Sequence, residues 1–242
     1  LSSRKEVDME REFTFKYSER KWKGVPIISS NMDTVSSVSM FKKLSKHKIL
    51  TCFHKFIDIK EIITAVKEGS DPQYMMLSTG ITEPDYDKLL LNVTLLHNED
   101  IDLQFICIDV ANGYMFKLVD FCKRIRTLFP KITLIAGSVV SREITEELII
   151  NGKIDIVRVG IGSGAVCTTR LQTGVGIPQL SANIECSDAA HGLGGCIISD
   201  GGICHPGDVS KAYGAGADFV MIGSMFSGHT ETPGDVIEEN GK

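Results

Sequence analysis

The chain has 242 residues, a length that suits one large α/β domain or two small ones. Its 43% hydrophobic share is ordinary for a soluble globular protein, and a net charge of −5 without a dense basic run argues against a nucleic-acid surface. No apolar run is long enough to cross a membrane, and nothing at the start resembles a signal peptide. Seven cysteines are scattered without a C-x-x-C pair, which indicates neither a disulfide framework nor a zinc site and fits the reducing cytosol.

In chain order, residues 1–24 form a charged, irregular N-terminal extension. Within it, residues 12–16 alternate as a short strand would, and residues 17–24 are expected to turn back. Short apolar runs then recur, each ending in polar residues or glycine: 25–31, 49–55, 74–80, 105–111, 133–138, 154–160, 196–202 and 219–224. Near-continuous hydrophobicity is the mark of parallel strands covered on both faces. Helical patterns lie between them at 58–67, 85–96, 116–129, 142–150 and 208–213. In the first of these, Ile59, Ile62, Ile63 and Val66 share a face, and Asp58 and Glu61 have the spacing of a capping box. Eight such units over 242 residues predict a single (β/α)8 barrel. A doubly wound sheet is the alternative, but it seldom carries eight strands with so regular a helix after each. The chain stops at Lys242, soon after the eighth run. The closing helix is therefore expected to be missing or to lie beyond it.

Barrels of this class place their chemistry at the C-terminal ends of the strands. The polar residues falling there are Asn31 and Asp33, Lys55, Asp109 and Asn112, Ser138, the 160–170 stretch, Asp200-Gly201-Gly202 and Gly223-Ser224. A cap or turn role is the ordinary explanation for any one of them; their convergence on one mouth is what points to a site. Strands seven and eight end in Asp-Gly-Gly and Gly-Ser, the place where barrels commonly hold a phosphate. Asp200 could then accept hydrogen bonds from ribose hydroxyls.

The sixth run leads into Gly160-Ile161-Gly162-Ser163-Gly164-Ala165-Val166-Cys167-Thr168-Thr169-Arg170. Its glycines permit a sharp turn and a close approach to a ligand. A lone cysteine is by default a small buried hydrophobe. Here the neighbours are polar or glycine, and Cys167 is read as a nucleophile, with Thr169 placed to move a proton and Arg170 to favour the thiolate. Gly160, Gly162 and Ala165 also spell G-x-G-x-x-A, but a dinucleotide loop needs a helix directly behind it, and the residues that follow are read as loop. The carbonyls of Gly162, Gly164 and Cys167 could cage a monovalent cation. His54, His191 and His229 have no triad or metal-ligand spacing and are read as local hydrogen-bonding residues.

Taken together, these motifs resemble the inosine monophosphate dehydrogenase and guanosine monophosphate reductase family over the whole chain. The specific pieces are Ser30-Asn31-Met32-Asp33-Thr34-Val35, Asp109-Val110-Ala111-Asn112-Gly113-Tyr114 and the Cys167 loop, together with residues 173–180 and 185–231. The resemblance implies a (β/α)8 barrel, commonly a homotetramer. Only residues 56–73 fill the gap in which the dehydrogenase branch carries a regulatory insertion, so the reductase branch is the better match. Ser224, where many reductases have glycine, is a departure toward the dehydrogenase.

On the reductase side, the resemblance implies NADPH-dependent conversion of GMP to IMP and ammonia, in purine interconversion and salvage. Cys167 forms a thioimidate, and Thr169 is the proton donor or acceptor. Cofactor contacts would map to Lys55, Asp109, Val110, Ala111, Ile161 and Gly162, with Ser3 and Arg4 from a neighbouring subunit. Nucleotide contacts would map to Asp200, Gly201, Gly202, Gly223 and Ser224. A potassium site would use Gly162, Gly164, Cys167 and Arg170. A flap and a catalytic glutamate are implied beyond strand eight, outside these residues, so turnover is assigned to the intact protein. The alternatives are IMP oxidation to XMP, or a nucleotide-binding barrel without turnover.

Overall fold

The computed structural model describes residues 6–234. Strand β1 (Arg11–Thr14) turns into β2 (Lys21–Ser29), and β2 opens the barrel. It is followed by α1 (Val38–Leu44), β3 (Ile49–Phe53), α2 (Ile59–Lys67), β4 (Met75–Thr79) and α3 (Glu83–Asn98). Next come β5 (Phe105–Asp109), α4 (Phe116–Leu128), β6 (Thr133–Val139), α5 (Arg142–Ile150) and β7 (Ile156–Val159). The short α6 (Thr169–Thr173), α7 (Gln179–Gly192), β8 (Cys196–Asp200), α8 (Pro206–Gly214) and β9 (Phe219–Ile222) complete the order. Strands β2 to β9 are all parallel, each bonded to the next, and β9 pairs back onto β2 to close the ring. Each of the eight predicted runs holds one barrel strand, and no helix follows β9 among the described residues.

The predicted helices are all present, with ends shifted by a few residues. Asp58 caps α2 by accepting the Lys60 N–H, but the reciprocal half expected from Glu61 is absent; a full capping box forms instead at Thr82 and Asp85, at the start of α3. Three helices escaped the sequence pattern. Helix α1 is only 7 residues long. Helix α6 corrects the expectation of loop behind Cys167, although it opens nine positions after Gly160, too late for a dinucleotide fold. Helix α7 buries Ala182, Asn183, Cys186, Ser187, Ala189 and Ala190 while Leu180 and Ile184 are exposed, so its inner face is too small and polar to announce itself. The expected turn at residues 17–24 is also shorter, because β2 already begins at Lys21.

Side chains alternate across each strand, and the inward set forms its own core. Ile28, Leu50, Cys52, Met76, Cys107, Ile135, Ile156, Ile198 and Met221 fill the barrel, whereas the outward set packs under the helices. The N-terminal end is closed by aromatic rings. Phe13 and Phe15 of the β1–β2 hairpin meet Trp22, Phe105 and Phe219, with Phe13 and Phe219 centroids 4.5 Å apart and Phe15 edge-on to Phe105 at 5.7 Å. Phe15 and Trp22 are each 2% exposed, and burial of one such ring stabilises by about 1.5–3 kcal/mol.

One buried carboxylate holds this floor in place. Asp155 Oδ1 accepts the N–H groups of Tyr17 (2.7 Å) and Ser18 (3.2 Å), and its Oδ2 accepts the Leu134 N–H (2.9 Å) and Arg126 Nη2 (2.6 Å). Its side chain is 0% exposed and Arg126 only 11%. Removing one partner of such a buried pair strands the other charge and typically costs about 3–5 kcal/mol. Asp155→Ala is therefore expected to lower unfolding stability by about 3 kcal/mol in a denaturant titration. A loss below about 1 kcal/mol would show that the hairpin holds without it.

Candidate active site

The C-terminal end of the barrel gathers the polar residues that the sequence placed there. Asp109 ends β5 and Asp200 ends β8, both in the inward register. Between them stands Arg158, on β7. Its Nη1 donates to Asp109 Oδ1 at 2.6 Å and its Nε to Asp200 Oδ2 at 2.8 Å. Asn31 Nδ2 donates to the second oxygen of Asp109 at 2.8 Å. Arg158 is 8% exposed. Burial works against its charge, but the carboxylates of Asp200 and Asp109 outweigh that and keep the guanidinium protonated. Sequence reasoning missed Arg158. The signal was a charged residue inside an apolar run, in phase with the inward-facing Ile156.

The cysteine loop follows directly. Gly160 has φ +147 and Gly162 φ +73, conformations open to glycine. Ser163 Oγ donates to the Asp200 carbonyl at 3.0 Å, and a Cβ at Gly201 (φ +97) would strike Ser163 Oγ and lie 3.0 Å from Gly164 N. The Asp200-Gly201-Gly202 turn thus rests against the cysteine loop. Gln179 anchors the far end: its Nε2 donates to the Val159 carbonyl at 2.8 Å, beside Asn183 and Ser199. Neither Gln179 nor Asn183 was expected, because their helix was not.

Cys167 is exposed, and its Sγ lies 3.2 Å from Thr169 Oγ1. The Thr169 hydroxyl, then the Thr169 backbone N–H, and more weakly Arg170, hold the thiol below its ordinary value; slight burial and Asp200 oppose them. Cys52, Cys122, Cys186 and Cys196 are shifted the other way by burial. A cavity of about 130 Å³ opens beside the loop, lined by Met32, Gly164, Val166, Asp200, Gly202 and Ser224 among others, Gly201 and Gly223 included. Ser224 Oγ donates to the Ile203 carbonyl at 3.2 Å and joins the last two strand ends.

The other expected residues are placed less uniformly. Val110 and Ile161 are 9% exposed, and Ala111 is exposed. The Val110 N–H donates to the Gly137 carbonyl and the Val110 carbonyl accepts the Ser138 N–H, both at 2.9 Å, fixing the β5 end against β6. Lys55 pairs with Asp85 at 3.0 Å, beside the mouth. The Gly164 carbonyl accepts the Cys167 N–H at 3.0 Å and the Arg170 carbonyl the Gly174 N–H at 3.1 Å, so two of the four cation donors are already partly engaged. His191 bonds Asp218 at 2.9 Å, as a local contact. Ser3 and Arg4 lie outside the described residues.

Residues 3–242 match the family described as IMP dehydrogenase / GMP reductase domain. The chain belongs to that family. It is 52% identical over 244 residues to proteins named GMP reductase from Klebsiella pneumoniae subsp. pneumoniae and Salmonella paratyphi B, and 51% identical to one from Shigella boydii serotype 18. Each match covers 100% of this chain and 69% of the relative.

The geometry around Cys167 makes its reactivity a measurable property. Alkylation by iodoacetamide, followed by mass spectrometry across pH, is expected to give Cys167 a midpoint below the value near 8.5 of a free cysteine. Thr169→Val removes the hydroxyl and is expected to move that midpoint upward. An unchanged midpoint would mean that Thr169 does not hold the thiolate.

Proposed function

We propose that the intact protein is a GMP reductase, converting GMP to IMP and ammonia in purine nucleotide interconversion and salvage. The observation that carries this is Cys167: an exposed thiol with a depressed pKa, 3.2 Å from a hydroxyl, in a loop packed against the Asp200 turn. The family match and the name of the relatives supply the substrate.

Cys167 Sγ attacks C2 of the purine and forms a carbon–sulfur bond. Thr169 moves the proton that the 2-amino group needs to leave as ammonia. NADPH, when bound, supplies a hydride to C2, after which the sulfur leaves and IMP is released. Asp200 accepts the ribose hydroxyls, and the turns at Gly201, Gly202, Gly223 and Ser224 take the phosphate through backbone N–H groups, which suit an anion without carrying charge. The cavity that these turns share with the cysteine loop supports that division of labour.

The residues at the mouth also suit a dinucleotide. Asp109 is 36% exposed at its side chain, open enough to accept ribose hydroxyls, and Lys55, two strands away at the end of β3, is a half-exposed cation suited to a phosphate. Val110, Ala111, Ile161 and Gly162 would flank the reactive ring. The carbonyls of Gly162, Gly164, Cys167 and Arg170 carry no formal charge, a donor set that suits potassium better than a divalent ion. A homotetramer would bring Ser3 and Arg4 of a neighbour to the cofactor.

Intact protein given GMP and NADPH is expected to release IMP and ammonia in equal amounts, and IMP with NAD should yield little XMP. Cys167→Ala should abolish turnover while GMP still binds. Residual activity within tenfold of wild type, about 1.4 kcal/mol of barrier, would remove Cys167 as nucleophile. XMP formation matching GMP reduction would make the protein a dehydrogenase, and GMP binding without either product would make it a non-catalytic barrel.

A further inference from the structure

We infer that Arg158 is a positioning residue that couples the two nucleotide sites, so that filling one tightens the other. The inference rests on the assignment of Asp200 to the substrate ribose and Asp109 to the cofactor ribose. One guanidinium reaches both carboxylates, at 2.8 and 2.6 Å, from the centre of the barrel, with a side chain only 10% exposed. One cation thus serves two carboxylates. Asp109 is further held by Asn31 at 2.8 Å, whereas among the described residues no other arginine or lysine is ion-paired with Asp200.

Such a bridge makes the two carboxylates one unit. The guanidinium fork is rigid, so a shift of Arg158 toward one aspartate is a shift away from the other. A nucleotide that binds one aspartate covers it from water, fixes its rotamer and thereby fixes Arg158. The second nucleotide then meets an acceptor already ordered, and pays less to bind. The coupling is reciprocal by thermodynamic necessity. Lysine in place of Arg158 keeps the charge but has no fork with which to hold two carboxylates at fixed spacing.

The test is binding and not turnover. GMP affinity of the intact protein is measured by calorimetry with and without saturating NADP+, a pair that cannot transfer hydride. Wild type is expected to bind GMP about fivefold tighter or more in the presence of NADP+, the low end of ordinary coupling. Arg158→Lys is expected to bring that factor within about twofold of unity, with the circular dichroism spectrum retained. Asp109→Asn gives a second measurement, independent of the arginine variant's folding. Freed from Asp109, Arg158 can engage both oxygens of Asp200 and compete with the ribose hydroxyls. GMP affinity without any cofactor is therefore expected to weaken about threefold or more, although Asp109 is assigned to the other nucleotide. A wild-type factor below twofold, an undiminished factor in Arg158→Lys, or unchanged GMP affinity in Asp109→Asn each overturns the coupling while leaving the proposed reaction intact. A wild-type protein that binds neither nucleotide overturns both.

Discussion

Closure of the sheet is the constraint on which the molecule depends. Once β9 bonds to β2, every second side chain on each strand points into a space bounded on all sides by protein. What stands at each inward position is then decided by height in the barrel. On β5 the inward residues run Phe105, Cys107, Asp109; on β8 they run Cys196, Ile198, Asp200; on β9 they run Phe219 and Met221 and then reach Gly223. The floor is mainly aromatic, the middle aliphatic or sulfur-bearing, and the top polar or bare.

That gradient divides stability from chemistry. At the floor, packed rings and the fully hydrogen-bonded Asp155 gain by being dry. At the mouth, two carboxylates and a buried guanidinium stand close together, an arrangement that an apolar replacement of the same shape often outdoes in stability. In the proposed reaction those charges serve as acceptors for the ribose hydroxyls of the ligands, which offsets that cost. The same strand β7 shows both regimes: Asp155 precedes it at the floor, and Arg158 lies near its end at the top.

Much of this was legible in the sequence. Eight apolar runs with helical patterns between them pointed to a barrel ahead of a doubly wound sheet, because a parallel sheet buried on both faces leaves a strong hydrophobic signal. The strand-end residues Asp109 and Asp200 were found because their polarity contrasts with the run before them, and Cys167 because polar residues and glycines surround it. Arg158 was not, since a charge inside a strand has meaning only when its inward phase and its partners on β5 and β8 are known, and those partners are 49 and 42 residues away. Helix α7 was missed for a related reason. It is held by Gln179 and Asn183, through hydrogen bonds to Val159 and Ser199, and not by a stripe of large apolar residues.

The contact between Gly201 and the Ser163-Gly164 turn has a consequence for how such a site can change over generations. A methyl group at position 201 has nowhere to go, so the turn assigned to the phosphate cannot acquire a side chain there unless the cysteine loop moves with it. Two segments nearly 40 residues apart are therefore inherited as one part, with drift in either filtered by the other. The outer faces of the helices are tied mainly by exposed ion pairs such as Arg124–Glu83, which constrain little, so lineages of this barrel should differ first at the periphery and last where these two turns touch.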